Sequence, residues 1–397
     1  MVKGIYKNRV LLLAIVFGIM LVGCRKTRTE TQPEQTETES DDFVEDDISF
    51  SVISESYHEL AKKDIKIEAT KWGSLPDEYE YCIDAVDAKN IYLEECHDDE
   101  NGNMLTSYGK IDLETRELTT LYTPIGWNII FDPIMVDGNL VIEVIKNSST
   151  LNNLDYEIVS VSEDGNVSKI YSDKSYYYPR ISKTGKGFSI LTFSDIKGGI
   201  EESLSYYDLS KNIATDVLKR SYLVHGEESI GDEIYRSCGG ESEILYNVST
   251  YDHEIRQEGS NGSHLLYRYS LEDNTSSLLE FQPGYLCDYF MTDGKVYLTE
   301  KTDTTDDLNQ SGDIYLYNGS SYEKWIVPPV TPINNIKQAE FIRDDVICVQ
   351  LTSGILLIDL KDMTYWYKES YCSAYTKDKI WYSDGENIYY INIENIM

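Results

Sequence analysis

The chain of 397 residues contains several groups that begin like catalytic or metal-binding motifs, but each is incomplete. His58-Glu59 and His253-Glu254 start like the zinc motif of metalloproteases, yet both lack the second histidine at the fifth position. The stretch from Gly240 to Ile244 has isoleucine where a nucleophile elbow needs its second glycine. Carboxylates are so abundant that a pair of them identifies no site. We expect no metal and no cofactor, and we infer no catalysis.

The N-terminus carries a chemical signal of another kind. Lys3, Lys7 and Arg9 precede a run from Val10 to Met20 that is almost wholly apolar. This run is too short to span a bilayer as a stable helix and is typical of a secretory signal peptide. It ends in small residues followed by a cysteine, in the order Leu21-Val22-Gly23-Cys24.

This ending resembles the lipobox of bacterial lipoproteins. The resemblance implies that residues 1–23 are a lipoprotein signal peptide and that the thiol of Cys24 receives a diacylglyceryl group. Because two acyl chains give stable anchoring, we expect the mature protein to be held by lipid on the extracytoplasmic face of the cell membrane. A plain signal peptide with a chance cysteine is the alternative.

Composition limits the partners. The chain has 69 acidic and 35 basic residues, a net charge of −34, which would repel the phosphates of nucleic acid. Residues 24–47 are dominated by threonine, glutamate, glutamine and aspartate, and they are expected to form a disordered acidic tether after Cys24. Tyrosine is unusually frequent, with 33 residues, and suits the half-buried surfaces of β-sheets.

Two short patterns recur through residues 48–397. The first is a turn followed by an apolar strand, as in Val136-Asp137-Gly138-Asn139-Leu140. The second is a strand that enters a polar turn, as in Tyr206-Tyr207-Asp208-Leu209-Ser210. Each pattern gives seven copies, and the two interleave at intervals of about 50 residues, the size of one four-stranded propeller blade. An all-β sandwich pair is the alternative architecture.

The sequence therefore predicts an all-β fold over residues 48–397, a β-propeller of seven four-stranded blades, with six or eight also open. The last copy is one strand short, and Ile65 to Ala69 could supply that strand and close the ring. The copies at Tyr206-Tyr207-Asp208-Leu209 and Ile388-Tyr389-Tyr390-Ile391-Asn392 resemble repeats of clostridial low-density-lipoprotein-receptor-like propellers and of TolB-type propellers. That resemblance implies a fold and no particular activity.

Aromatic residues and one arginine mark the segments that would connect successive blades. Such segments surround the mouth of a propeller channel, where aromatic rings could stack on sugars or anchor a peptide. The candidate ligand-binding residues are Trp72, Trp127, Tyr176, Tyr177, Tyr178, Arg180, Tyr285 and Tyr289. Packing of these rings between blades is the alternative.

The disulfide state stays open for six cysteines, with buried thiols favoured: Cys82, Cys96, Cys238, Cys287, Cys348 and Cys372. We interpret the chain as a monomeric, lipid-anchored binding or scaffolding module for a glycan or a cell-envelope protein. The alternative function is a propeller glycoside hydrolase, or another carbohydrate-active enzyme, with carboxylates in the channel.

Overall fold

The computed structural model describes residues 57–397 except for 77–79, 99–103, 130–132, 148, 151–152, 226–227, 252–263, 280–285, 293–294, 302–311, 318–321, 327–335 and 352. All of them belong to one compact unit, Phe50–Met397. The predicted signal peptide at 1–23, Cys24 and the tether to residue 47 lie outside the described residues. No helix of the described part is long and apolar enough to cross a membrane.

One polar turn recurs where the third strand of a four-stranded unit gives way to the fourth. An aspartate side chain accepts hydrogen bonds from the backbone N–H groups two and three positions ahead, as in an Asx turn. The residue four positions ahead adopts a left-handed φ. Such turns begin at Asp112, Asp208 and Asp359, with φ of 64° at Arg116, 56° at Asn212 and 51° at Met363. Three of the seven copies of the second recurring pattern therefore form the same turn, which supports the repeat architecture.

Three short strands open the described chain, and they form no sheet of their own. They are β1 (Tyr57–Glu59), β2 (Ala61–Lys62) and β3 (Thr70–Ser74). The first sheet is an antiparallel meander of β4 (Glu80–Val86), β5 (Asn90–Asp98), β6 (Met104–Asp112) and β7 (Leu118–Tyr122). The second sheet consists of β8 (Trp127–Ile129), β9 (Ile134–Val136), β10 (Asn139–Lys146), β11 (Leu154–Val161) and β12 (Val167–Ser175). Both β8 and β9 pair with β10, so they share its inner edge.

The third sheet has eight strands in sequence order. They are β13 (Arg180–Thr184), β14 (Gly187–Ile196), β15 (Gly199–Asp208), β16 (Ile213–His225), β17 (Glu228–Gly239), β18 (Glu243–Tyr251), β19 (His264–Ser270) and β20 (Thr275–Leu279). It consists of two consecutive four-stranded meanders. The long strands β16 and β17 join them by pairing near their shared turn, from Tyr222 opposite Gly231 to His225 opposite Glu228.

The last three sheets each take a strand from the N-terminal segment. The fourth contains β21 (Leu286–Thr292), β22 (Lys295–Lys301), β23 (Gly312–Tyr317) and β24 (Tyr322–Ile326), with β1 parallel to β24. The fifth contains β25 (Ile336–Arg343), β26 (Val346–Leu351), β27 (Gly354–Asp359) and β28 (Thr364–Glu369), with β2 parallel to β28. The sixth contains β29 (Ser373–Tyr375), β30 (Lys379–Ser383) and β31 (Asn387–Asn392), with β3 antiparallel to β31. A 3₁₀ helix, Ile393–Asn395, follows.

The all-β propeller fold is thus confirmed, but the prediction of seven blades is wrong: the described strands give six, an alternative that the sequence left open. The described strands form six sheets, because the pairing of β16 with β17 fuses two four-stranded units into one. The strand that supplements the last sheet also differs from the prediction. It is β3, Thr70–Ser74, and not Ile65 to Ala69, since Ile67 and Ala69 pack against an apolar cluster of the fifth and sixth sheets.

Apolar clusters fill the spaces between neighbouring sheets, so that most sheets bury both faces. Examples are Tyr92 with Val144 (first and second sheets), Val141 with Phe188 (second and third), Cys348 with Ile391 (fifth and sixth) and Ile83 with Trp381 (first and sixth). The strands that begin each unit contact one another in turn: β9 with β13, β13 with β17, β17 with β21, β21 with β25, and β29 with β4. These strands therefore lie at the centre.

The N-terminal segment is fixed to the fifth sheet by a partly buried ion pair. Lys63 Nζ lies 3.5 Å from Asp359 Oδ2, and their side chains are only 16% and 9% exposed. The Lys63 N–H also donates to the carbonyl of Tyr365 at 2.8 Å. Asp359 at the same time anchors one of the recurring turns.

We expect Lys63→Ala to lower the free energy of unfolding by about 1–3 kcal/mol, because it leaves the Asp359 carboxylate buried without its cation. Lys62→Ala is the matched control. Its ion pair with Asp64 is exposed, at 49% and 85%, so its loss should cost about 0.5 kcal/mol or less. Urea unfolding of both variants measures the difference, and equal effects would contradict a structural role for the Lys63 pair.

Candidate functional site

The described segments that enter the central strands lie at one face of the propeller. In each four-stranded unit the chain leaves by the outermost strand and enters the next unit at the start of its central strand. The described segments of this kind include 123–126, 176–179 and 370–372. We call the surface that they form the link face.

The segment before β13 holds an exposed aromatic ring in a fixed position. Tyr177 is 38% exposed, and its ring makes edge-to-face contacts with Tyr176 at 4.8 Å and Phe193 at 5.7 Å between centroids. The Tyr176 N–H donates to the carbonyl of Phe193 at 2.7 Å, and Ser175 Oγ accepts the Phe193 N–H at 3.2 Å. The backbone under the ring is therefore hydrogen-bonded to β14.

Two other predicted residues adjoin this ring. Tyr178 packs against the apolar cluster between the second and third sheets, whereas Arg180 is exposed at the first position of β13. Four of the predicted ligand-binding residues, Tyr176 to Tyr178 and Arg180, therefore lie within one short stretch of the link face. We call Tyr176, Tyr177, Phe193 and Arg180 the tyrosine platform.

The two predicted tryptophans lie elsewhere and are packed. Trp72 is on the outer strand β3, where its ring meets Trp381 edge-on at 6.0 Å and the Arg116 guanidinium lies 5.1 Å from the ring centroid. Trp127 begins β8 and packs against the cluster between the first and second sheets. Tyr285 lies outside the described residues, and of Tyr289 only the backbone in β21 is described.

Two exposed side chains of the link face escaped the sequence analysis. Tyr371 is 49% exposed and Ile125 is 89% exposed. Both lie in segments that enter central strands, each two residues before the strand begins, β29 for Tyr371 and β8 for Ile125. The spacing of the repeats could have found them, since residues 125 and 371 precede central strands as Tyr177 does.

A buried carboxyl group lies close to the tyrosine platform. Glu143 is 1% exposed, and neither of its carboxyl oxygens has a hydrogen-bond partner in the described part of the chain. Burial raises the pKa of Glu143 well above its ordinary value, and the positive charge of Arg180 opposes that rise. Arg180 therefore influences a carboxyl on the neighbouring sheet.

Polar side chains of several sheets converge along the central strands. Gln350 Nε2, on the fifth sheet, donates to the carbonyl of Ser373 at 2.7 Å and to that of Asp84 at 3.5 Å, which belong to the sixth and first sheets. Burial raises the pKa of Glu340, while Lys183 of the third sheet and Lys377 of the sixth oppose the rise. One carboxyl thus responds to charges from two other sheets.

At the far end of β25, away from the link face, an open cavity of about 420 Å³ is lined by Phe341, Ile342, Arg343, Asp344 and Lys377. Within the described residues, no three histidine, cysteine, aspartate or glutamate side chains come together as a possible metal site. The carboxyl groups with a raised pKa, Glu95, Glu143 and Glu340, lie on three different sheets.

Comparison with known proteins shows a fold and no family. No family model matches the chain, and no curated protein matches its sequence. An oligogalacturonate lyase solved in complex with manganese superimposes with a TM-score of 0.50 at 9% identity, over 84% of this chain and 98% of its own. This likeness shows the propeller fold alone.

Two further solved structures share less of the geometry. The β-propeller domain of the Trilobed protease from Pyrococcus furiosus gives a TM-score of 0.45 at 10% identity, over 78% of this chain and 97% of its own. TolB from Acinetobacter baumannii gives 0.40 at 11% identity, over 77% of this chain and 79% of its own.

We expect Glu143→Gln to stabilise the fold at neutral pH by on the order of 1–3 kcal/mol. Because the folded-state pKa is raised, the unfolded chain releases the Glu143 proton first as the pH increases. The native protein therefore loses stability above the unfolded pKa, a loss that glutamine avoids. At about pH 4 the variant and the wild type should unfold at similar urea concentrations.

Glu157→Gln is the control for this experiment. Glu157 lies on the adjacent strand β11, where it forms a 3.3 Å ion pair with Lys169. Its loss should change stability by less than about 0.5 kcal/mol at either pH. A Glu143→Gln variant that is less stable at neutral pH would show instead that the carboxylate is ionised and held by Arg180.

Proposed function

We propose that this protein is a lipid-anchored, extracytoplasmic β-propeller that acts as a binding module, with its ring closed where β3 completes the sixth sheet. Its ligand is a glycan, bound at the link face. The observation that supports this proposal is the tyrosine platform: two neighbouring aromatic rings hold the exposed Tyr177 ring in place, and the exposed Arg180 follows three residues later in the chain.

The platform suits the recognition of a sugar. An aromatic face covers the apolar face of a pyranose ring, and Tyr177 loses little rotational freedom on binding because Tyr176 and Phe193 already restrict it. The Arg180 guanidinium can donate hydrogen bonds to hydroxyl or carboxylate oxygens of the same ligand. A platform of this kind binds and orients a ligand without changing it.

The rival function, a propeller glycoside hydrolase, requires two carboxyl groups that face each other across the scissile bond. Three described carboxyl groups with a raised pKa, Glu95, Glu143 and Glu340, lie on three different sheets. This distribution favours binding over hydrolysis. A cell-envelope protein is the second class of partner, and Tyr371 and Ile125 would extend the contact surface for it.

The ligand is tested by screening the purified chain on an array of bacterial and plant polysaccharides. We expect binding that Tyr177→Ala weakens about tenfold, because the ring supplies stacking worth roughly 1.4 kcal/mol. Ile213→Ala is the control, since Ile213 is 55% exposed on the same sheet at the opposite end of the strands.

Failure on every glycan would overturn the glycan proposal. The protein-partner alternative would then be examined by crosslinking in intact cells, with the Tyr177→Ala variant as comparison. Equal loss of glycan binding in Tyr177→Ala and Ile213→Ala would show that the platform is not the contact.

The anchor is tested separately with Cys24→Ala. We expect this variant to leave the membrane fraction and to lose labelling by a radioactive fatty acid, because the thiol that carries the diacylglyceryl group is gone. Cys96→Ser, in the described propeller, should leave both readouts unchanged. A Cys24→Ala variant that still sediments with membranes would contradict the lipid anchor and leave the glycan proposal standing.

A further inference from the structure

Two cysteines meet where the first and sixth sheets pack together. Cys82 lies in β4, the central strand of the first sheet, and Cys372 directly precedes β29, the central strand of the sixth. The two strands contact each other, and Ile83, next to Cys82, belongs to one apolar cluster with Ala374, two residues after Cys372.

The thiols are in direct contact. The side chains of Cys82 and Cys372 form a hydrogen bond, and Cys82 Sγ lies 3.7 Å from the carbonyl oxygen of Tyr371, a residue 289 positions away in the sequence. A contact between two sulfur-bearing side chains of different sheets is the arrangement from which a disulfide can form without large backbone movement.

Hydrogen bonds fix the backbone on both sides of this contact. The Cys372 carbonyl accepts the Ser383 N–H at 3.0 Å and the Ser370 hydroxyl at 3.4 Å. Gln350 holds the neighbouring carbonyls of Ser373 and Asp84 together. The two cysteines are therefore held at a fixed separation by three sheets.

We propose that Cys82 and Cys372 are a redox pair whose disulfide joins the first and sixth sheets covalently. The oxidant is a small-molecule disulfide, a class of compound that oxidises thiols outside the cytoplasm. The chemistry of the pair does not depend on the lipid anchor or on the glycan, so it can fail or succeed independently of the proposed function.

The reaction proceeds by two exchanges. The Cys82 thiolate attacks one sulfur of oxidised glutathione, forms a mixed disulfide and displaces one glutathione thiolate. The Cys372 thiolate then attacks the Cys82 sulfur and displaces the second glutathione. The protein loses two electrons and two protons, and one oxidised glutathione becomes two reduced molecules.

The surroundings of Cys82 make this reaction slow at neutral pH. The hydrogen bond that the Cys82 thiol donates to Cys372 raises the pKa of Cys82 most, followed by burial and the negative charge of Asp84, while Lys337 opposes the rise. The reactive thiolate is therefore scarce near neutrality, and the rate of closure should increase with pH.

The test is oxidation of the full purified chain in its folded state. We expect oxidised glutathione to produce one crosslinked peptide pair containing Cys82 and Cys372, detected by mass spectrometry after the remaining thiols are alkylated. Oxidation should raise Tm by about 5 °C or more, reversibly with dithiothreitol. Cys82→Ser and Cys372→Ser should lose both effects, and Cys96→Ser should keep them.

The pH dependence gives a second measurement that does not require a cysteine variant. The crosslinking rate should rise several-fold from neutral to mildly alkaline pH, and Asp84→Asn should raise it at neutral pH by removing one negative charge. Crosslinking that appears only in denatured chain, or that joins other cysteines in folded chain, would overturn the proposal.

Discussion

The packing of the first sheet against the sixth is the interaction on which the rest of the structure depends. Every other neighbouring pair of sheets follows directly in sequence, so chain connectivity brings it together. The first and sixth sheets come from opposite ends of the described chain: β3, which precedes β4, pairs with β31, and Ile83, Leu93, Trp381 and Ile388 form a shared cluster. Without that cluster, each of these sheets would expose an apolar face of the size that destabilises a soluble protein.

Several further interactions strengthen the contact between the first and sixth sheets. Gln350 of the fifth sheet joins a carbonyl of the sixth sheet to one of the first, Trp72 packs its ring edge-on against Trp381, and the Arg116 guanidinium lies 5.1 Å from the centre of the Trp72 ring. Trp72 is a predicted ligand-binding residue because its position in the sequence falls between two repeats. Its position in β3 uses the same aromatic surface to hold the two ends of the propeller together.

The sequence predicted the parts of the fold that depend on local chemistry. Asp112, Asp208 and Asp359 identify their turns because each aspartate side chain accepts hydrogen bonds from backbone N–H groups two or three residues ahead. This interaction is local and does not depend on tertiary packing. The fusion of β16 with β17 could not be predicted, since it depends on the length of a hairpin whose strands read as ordinary β-structure. The strand that completes the sixth sheet was also not predictable at its exact position, 70–74 in place of 65–69. The alternation of apolar and polar residues in Ile65-Lys66-Ile67 favours a strand, but Ile67 instead packs against the apolar cluster of the fifth and sixth sheets.

The candidate site likewise contains residues that the sequence predicted and one that it did not. Tyr176, Tyr177, Tyr178 and Arg180 were found because they are consecutive and precede a strand of the repeat. Glu143 was not, because it interrupts an apolar strand as one acidic residue among 69 Asp and Glu residues, and only the packing of the second sheet on the third reveals its burial.

The pairing of β1, β2 and β3 with the fourth, fifth and sixth sheets has a consequence for biosynthesis. The ribosome makes these strands first, yet their partners belong to the last part of the chain. Lys63 and Asp359, for example, are 296 residues apart. Contacts between residues so far apart in the sequence form late and slowly, because closing the long loop between them costs conformational entropy. The N-terminal segment therefore cannot complete its three sheets until the last part of the chain has been synthesised.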